Sequence, residues 1–332
     1  MEEGINVQKR FFTELKAKLP SNLSMANVVA DELNISIDSA YRRIRGESDL
    51  SLKEFDLLSS KYAISTEAVL SKTFDSVHFT YRSISHDHFS FESYCNSITD
   101  EIKSLEKFGL KEIIYAALDL PLFYYFMYPK LATFKFFFWR RNVFNFPGSN
   151  GEKFNVNMIS KPELEKSFKM FHSYLHVPTI EIWSEETLNS TLRQILFYHE
   201  IGLFESKQDI VDILDDLRKV IEHVEKQAEI GSKFYPGSET SNTYENFRIY
   251  HNEVTISENV ILLKLANFNV VHLGHNVLNF LTTNNEVFFK DTYNFIEKVM
   301  KNSTLISISA EKERRRFFNI LYHKIDLMIA NL

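Results

Sequence analysis

Three arginines in a span of four residues, Arg42, Arg43 and Arg45, carry the clearest chemical potential in this sequence. A guanidinium is permanently charged, and its fork of N–H donors fits a phosphate or the O6/N7 edge of guanine. Ser36, Asp38 and Ser39 stand just before them and add short hydrogen-bonding side chains. These six residues form the candidate DNA-contacting set. Catalytic chemistry finds no comparable foothold. There is no Walker loop, no G-x-G-x-x-G, no H-E-x-x-H and no G-x-S-x-G. His86, Asp87 and His88, with Cys95 nearby, are metal-ligating types. Two His residues two apart do not share a helix face, however, and no second ligand pair has zinc spacing. Neighbours such as His199 and Glu200 are routine in a chain with 11 His and 44 Asp/Glu. The chain is therefore read as a non-enzyme, with no cofactor and no metal.

Two short helices joined by a tight turn must position the arginines. They run from Ser24 to Gly46, SMANVVADELNISIDSAYRRIRG. Ser24 is expected to cap the first helix, whose Val29, Ala30 and Leu33 share a face. Asn34 sits where the chain must reverse, and Asn tolerates the left-handed conformation of such a reversal. Ser36 is expected to cap the second helix, Ile37 to Arg45. At about 100° per residue, Ile37, Ala40 and Ile44 fall together and are expected to face inward. Asp38, Ser39, Arg42 and Arg45 then point outward, the arrangement of a helix that enters a major groove.

The pattern V-A-x-x-L-N-I-S at 29–36, followed by A-Y-R-R-I-R-G at 40–46, resembles the helix-turn-helix of Cro/C1-type (phage-repressor-like) regulators. Ala30 matches the small residue between the two helices, and Ile35 the apolar residue after the turn. Asn34 replaces the usual turn glycine. The family usually has an apolar residue three after Ala40. Here Arg43 stands there and Ile44 follows, which implies a rotated recognition helix and brings Arg43 into the reading set. The resemblance covers residues 5–70 and implies a five-helix domain that binds double-stranded DNA. The wider layout resembles bacterial helix-turn-helix regulators with a long C-terminal region.

Helical periodicity supports that domain. Val7, Phe11, Leu15 and Leu19 recur every four residues up to Pro20. Ser51 and Glu54 form a capping box ahead of Leu52, Phe55, Leu58 and Tyr62, and Ser65 heads a last turn through Leu70. Residues 1–70 hold nine Lys/Arg and eleven Asp/Glu, so any DNA contact is a local patch around Arg42, Arg43 and Arg45.

The whole chain has 332 residues, a net charge of −6, 44% hydrophobic and 25% charged residues, enough for two or three domains. The lone Cys95 excludes an internal disulfide. No run of about 18 apolar residues and no signal-type segment is present, so a cytoplasmic protein is expected. Residues 71–92 lack a steady period and read as a linker. Residues 93–332 read as a helical α+β domain for sensing or dimerisation. Its signals are a strand at Ile113–Leu118, an aromatic stretch at 123–139, a strand at Thr179–Trp183 and a long amphipathic helix from Gln208 to Ile230. Strands near 247–251, 260–265 and 269–273 suggest a small antiparallel meander, closed by helices at 286–301 and 310–329. The long stripe and the aromatic stretch are the expected dimer surfaces.

The segment from Gly274 to Glu286 resembles the G-S-x-N…N-x-E segment of phospholipase-D-like domains. That family works through His-x-Lys pairs, and this chain has none, so the resemblance implies a non-catalytic relative. The expected fold class is mostly α: a five-helix repressor-like domain and a larger α+β domain with a small antiparallel sheet. The expected function is a sequence-specific DNA-binding transcription regulator. It would act as a homodimer on double-stranded DNA under a small-molecule or peptide effector, without a membrane. The alternatives are a protein-interaction adaptor that never touches DNA and a non-catalytic phospholipase-D-like ligand binder.

Overall fold

A computed structural model describes residues 7–20, 23–62, 64, 69, 76–81, 90–143, 151–238, 245–254 and 256–332. The chain forms two compact units, Met1–Thr80 with Ala266–Phe268, and Tyr81–Leu265 with Asn269–Leu332.

The first unit shows four helices among the described residues: α1 (Val7–Lys18), α2 (Met25–Leu33), α3 (Ile37–Arg45) and α4 (Leu52–Lys61). The expected fifth, Ser65 to Leu70, lies outside the described residues apart from Val69. Apolar residues at helical spacing meet in one core of Phe11, Leu15, Val29, Ala30, Ala40 and Leu58. Phe11 and Phe55 rings lie 4.8 Å apart. The Gln8 amide donates to the carbonyls of Arg43 (2.7 Å) and Ser48 (2.8 Å) and accepts from the Leu50 N–H (2.9 Å). One side chain of α1 thus ties down the loop between α3 and α4.

The second unit is built on an eight-stranded mixed sheet. Its strands are β1 (Thr80–Tyr81), β2 (Glu112–Ala116), β3 (Thr179–Trp183), β4 (Phe247–His251), β5 (Val260–Lys264), β6 (Asn269–His275), β7 (Asn279–Thr283) and β8 (Thr304–Leu305). Their order is β1-β7-β6-β5-β2-β3-β4-β8. The helices are α5 (Phe91–Lys107), α6 (Pro129–Asn142), α7 (Lys161–Leu175), α8 (Asn189–Glu200), α9 (Lys207–Ile230), α10 (Glu286–Lys301) and α11 (Glu311–Ala330). The expected small antiparallel sheet is corrected. β5, β6 and β7 do form an antiparallel meander, but β5 also pairs antiparallel with β2, and β2, β3 and β4 run parallel. Parallel neighbours need long crossovers, so strands 60 or more residues apart join where local reading sees separate pieces. Continuous burial marks the central one: every residue of β3 is buried.

Part of the linker also takes structure. Thr80 and Tyr81 form an edge strand, and α5 begins at Phe91. His86, Asp87 and His88 lie outside the described residues.

One sheet face packs Ile114, Ile180, Ile182, Leu262 and Val271 against Phe289 and Ile296 of α10. α9 packs against α6, α11 and β4, and its stripe of Ile213, Leu214, Leu217, Ile221 and Val224 is fully buried. Most of the aromatic stretch is buried too, including Phe123, Tyr124, Phe126, Phe134 and Trp139. Both expected dimer surfaces therefore form the interior of the unit. A seam toward a partner and a core-facing stripe have the same apolar period, and only the sheet beneath α9 tells them apart. No helix among the described residues is long and apolar enough to cross a membrane.

Candidate functional site

In the first unit, α2 ends at Asn34, which adopts the left-handed conformation (φ 52°, ψ 50°). The Ile35 N–H returns to the Ala30 carbonyl (3.0 Å) and closes the turn. Ser24 occupies the N-cap position of α2 but its side chain makes no capping bond. Ser36 caps α3: its hydroxyl oxygen accepts the Ser39 N–H at 3.2 Å and donates to the Ser39 hydroxyl at 2.9 Å. Gly46 ends α3 in the left-handed region (φ 78°), where a Cβ would add strain.

Ala40 is fully buried and Ile44 packs on the core. Ile37 does not join them. It is 51% exposed and Tyr41 is 46% exposed, so both lie on the outer face with Asp38, Arg42 and Arg45. Ile37 is the first residue of the helix, where no preceding turn covers it. Residues 37, 38, 41, 42 and 45 share one side because they recur at four-residue spacing. Arg42 is exposed, with no side-chain ion pair to a described residue. Arg45 pairs with Glu47 at 2.7 Å, both half exposed, and lies 6.0 Å from the Tyr41 ring centroid. An exposed pair of this kind contributes little to stability.

Arg43 points the other way. Its Nη2 meets the Glu54 carboxylate of α4 at 2.9 Å, and its side chain is only 19% exposed. Nη1 also reaches the Ser39 carbonyl at 3.4 Å. Arg43 thus fills the position of the expected apolar residue by pairing, and Glu54 is itself held by the Ser51 capping box. Arg43→Ala is expected to destabilise the first unit by about 1–2 kcal/mol through loss of a partly buried charged hydrogen bond. Amide hydrogen exchange on the full chain would show this as roughly tenfold faster exchange in α3 and α4. Unchanged exchange together with lost DNA selectivity would return Arg43 to the reading set.

Among the described residues of the second unit, two polar clusters centre on buried lysines, Lys233 and Lys135. Glu181 of β3 is completely buried. Its carboxylate accepts from the Tyr124 hydroxyl (2.8 Å), the Tyr174 hydroxyl (2.6 Å) and the Trp183 indole N–H (2.8 Å). Lys233, equally enclosed, donates to the Tyr174 carbonyl (2.8 Å) and the Thr179 hydroxyl (2.6 Å), with its Nζ 3.8 Å from the Tyr174 ring centroid. Burial pushes the Glu181 carboxyl up and lowers the Lys233 ammonium to about 7. These groups satisfy one another and hold β3 to α7. The second cluster, Lys135 with Asp119, instead faces a cavity beyond the carboxyl end of β2.

Comparison of this chain with protein-family models, with curated proteins and with solved structures finds no match.

Of the six residues read from sequence, Asp38, Arg42 and Arg45 share the exposed face, Ser36 and Ser39 form the cap, and Arg43 turns inward. The exposed face also carries Ile37 and Tyr41, which sequence reading left out of the set. Their signal was Tyr41 itself, a large ring next to Arg42 and off the inward stripe. Among the described residues no group of three or more His, Cys, Asp or Glu is placed to hold a metal ion.

Proposed function

We propose that this chain is a sequence-specific DNA-binding transcription regulator of the cytoplasm. Its first unit reads the major groove through α3, and its larger unit senses a ligand. The observation that carries this reading is the outer face of α3, where Arg42 and Arg45 stand beside Ile37, Tyr41 and Asp38 behind an Asn34 turn. Two cations supply phosphate and guanine contacts, and an apolar pair suits the thymine methyl group. A single short helix reads few base pairs, so a homodimer on two half-sites is part of the proposal. Its interface would use surface other than the α9 stripe, such as the exposed Leu196, Phe197 and Ile201.

A second reading has its own observation. Exposed Ile37 and Tyr41 would equally suit a protein partner, as in an adaptor. Selection of bound duplexes from a random library, at rising salt, separates the two. A regulator enriches one sequence, and its affinity falls steeply with salt. An adaptor enriches none.

A further inference from the structure

Lys135 sits in the middle of α6 and is 2% exposed. Its Nζ donates to the Thr191 hydroxyl (2.8 Å) and the Gln194 side-chain carbonyl (2.8 Å), and lies 4.0 Å from the Tyr125 ring centroid. All three partners are neutral. No carboxylate among the described residues pairs with it within ion-pair distance. A buried cation without a counter-charge is costly, and a Met or Leu would fill the same space without that cost.

The carboxylate whose charge acts on it is Asp119, which lines the same cavity and takes a hydrogen bond from Ser190. The loop after β2 holds it in place: the Asn259 side-chain carbonyl accepts the N–H groups of Leu118 (3.0 Å) and Asp119 (3.4 Å). The β6–β7 hairpin closes over this point. Gly274 donates its N–H to the Asn259 carbonyl at 2.8 Å, and a Cβ on Gly274 would come within 3.2 Å of the Asn259 Cβ. Lys135 and Asp119 thus line one cavity of about 40 Å³, room for a few water-sized groups, without pairing directly with each other. Trp139, Leu278 and Phe280 add apolar wall. Burial lowers the Lys135 ammonium to about 7 and raises the Asp119 carboxyl, each partly offset by the other's charge. A ligand that supplied both missing partners would relieve both costs.

We propose that this cavity binds a small carboxylic acid with a donor beside the carboxylate, an α-amino or α-hydroxy acid. The carboxylate would sit on Lys135 and the donor on Asp119. This rests on the reading of the second unit as a ligand sensor and names the chemistry it senses.

The test is calorimetric titration of the full chain with alanine, lactate, acetate and inorganic phosphate, beside thermal unfolding. Alanine or lactate is expected to saturate one site, and which of them binds more tightly identifies the donor. Acetate and phosphate should bind about tenfold more weakly or not at all. Lys135→Met should abolish binding while the unfolding midpoint holds or rises, because an unpaired buried charge is removed. Asp119→Asn should erase the preference for the acid with a donor over acetate. The proposal is overturned if none of the four saturates a site, if acetate or phosphate binds best, or if Lys135→Met binds as the parent does. A drop in midpoint for Lys135→Met without ligand binding by the parent makes Lys135 a structural residue and also overturns it. Ligand binding by a chain that selects no DNA leaves this site standing and removes only the regulator reading.

Discussion

Arg42→Ala is expected to lower affinity for a selected DNA site by roughly tenfold or more, while affinity for random DNA falls far less. The reason is position. Arg42 lies mid-helix on the exposed face, one turn after Asp38, and its guanidinium is not committed to a neighbouring carboxylate. A guanidinium on a base edge contributes about 1–3 kcal/mol of discrimination. Arg45 is at the last turn and already holds a carboxylate, Glu47. Arg45→Ala should therefore weaken selected and random DNA together and flatten the salt slope by about one unit. Mobility-shift titration on both DNAs gives the two ratios, and circular dichroism controls for folding. A finer arm uses DNA with deoxyuridine in place of thymidine, which removes the 5-methyl groups. Ile37→Ala should lose affinity for the parent duplex but little for the uracil one. If all three variants bind both DNAs as the parent does, α3 is not a reading helix and the adaptor takes its place.

Glu181→Ala should destabilise the second unit by about 3–5 kcal/mol, the range for stranding one member of a buried charged network. Three donors, from Tyr124, Tyr174 and Trp183, would lose their acceptor, and Lys233 would lose the nearest buried negative charge. Glu181→Gln keeps a carbonyl acceptor and should cost less. In a Lys233→Met background, Glu181→Ala should also cost less, because no cation remains to be stranded. Both tryptophans, Trp139 and Trp183, belong to this unit. Fluorescence during urea unfolding therefore follows it without interference from the helical unit. An equal loss in both backgrounds would show that Glu181 acts through its hydrogen bonds alone.

What the sequence determined by itself is local. Helical period, caps and breakers mark α1 through α4, and Ser51 with Glu54 forms the capping box their spacing demands. Thr179–Trp183 and Phe247–His251 stand as strands at the bounds their composition sets. These features depend on residues one to four positions apart, which a sequence displays directly. The tertiary structure alone decided the rest. It turned Arg43 inward, because Glu54 of α4 offers a carboxylate where an apolar contact would otherwise sit, and it left Ile37 outside at an uncovered helix start. It joined β2, β3 and β4 in parallel through helical crossovers, and so drew the α9 stripe into the core instead of toward a partner. It also brought Lys135 and Asp119, 16 residues apart in sequence, to one cavity with walls from α5, α8 and the β6–β7 hairpin. Neither residue has a spacing signal, since a Lys inside an aromatic helix looks like an interruption until the strands beside it show what it faces.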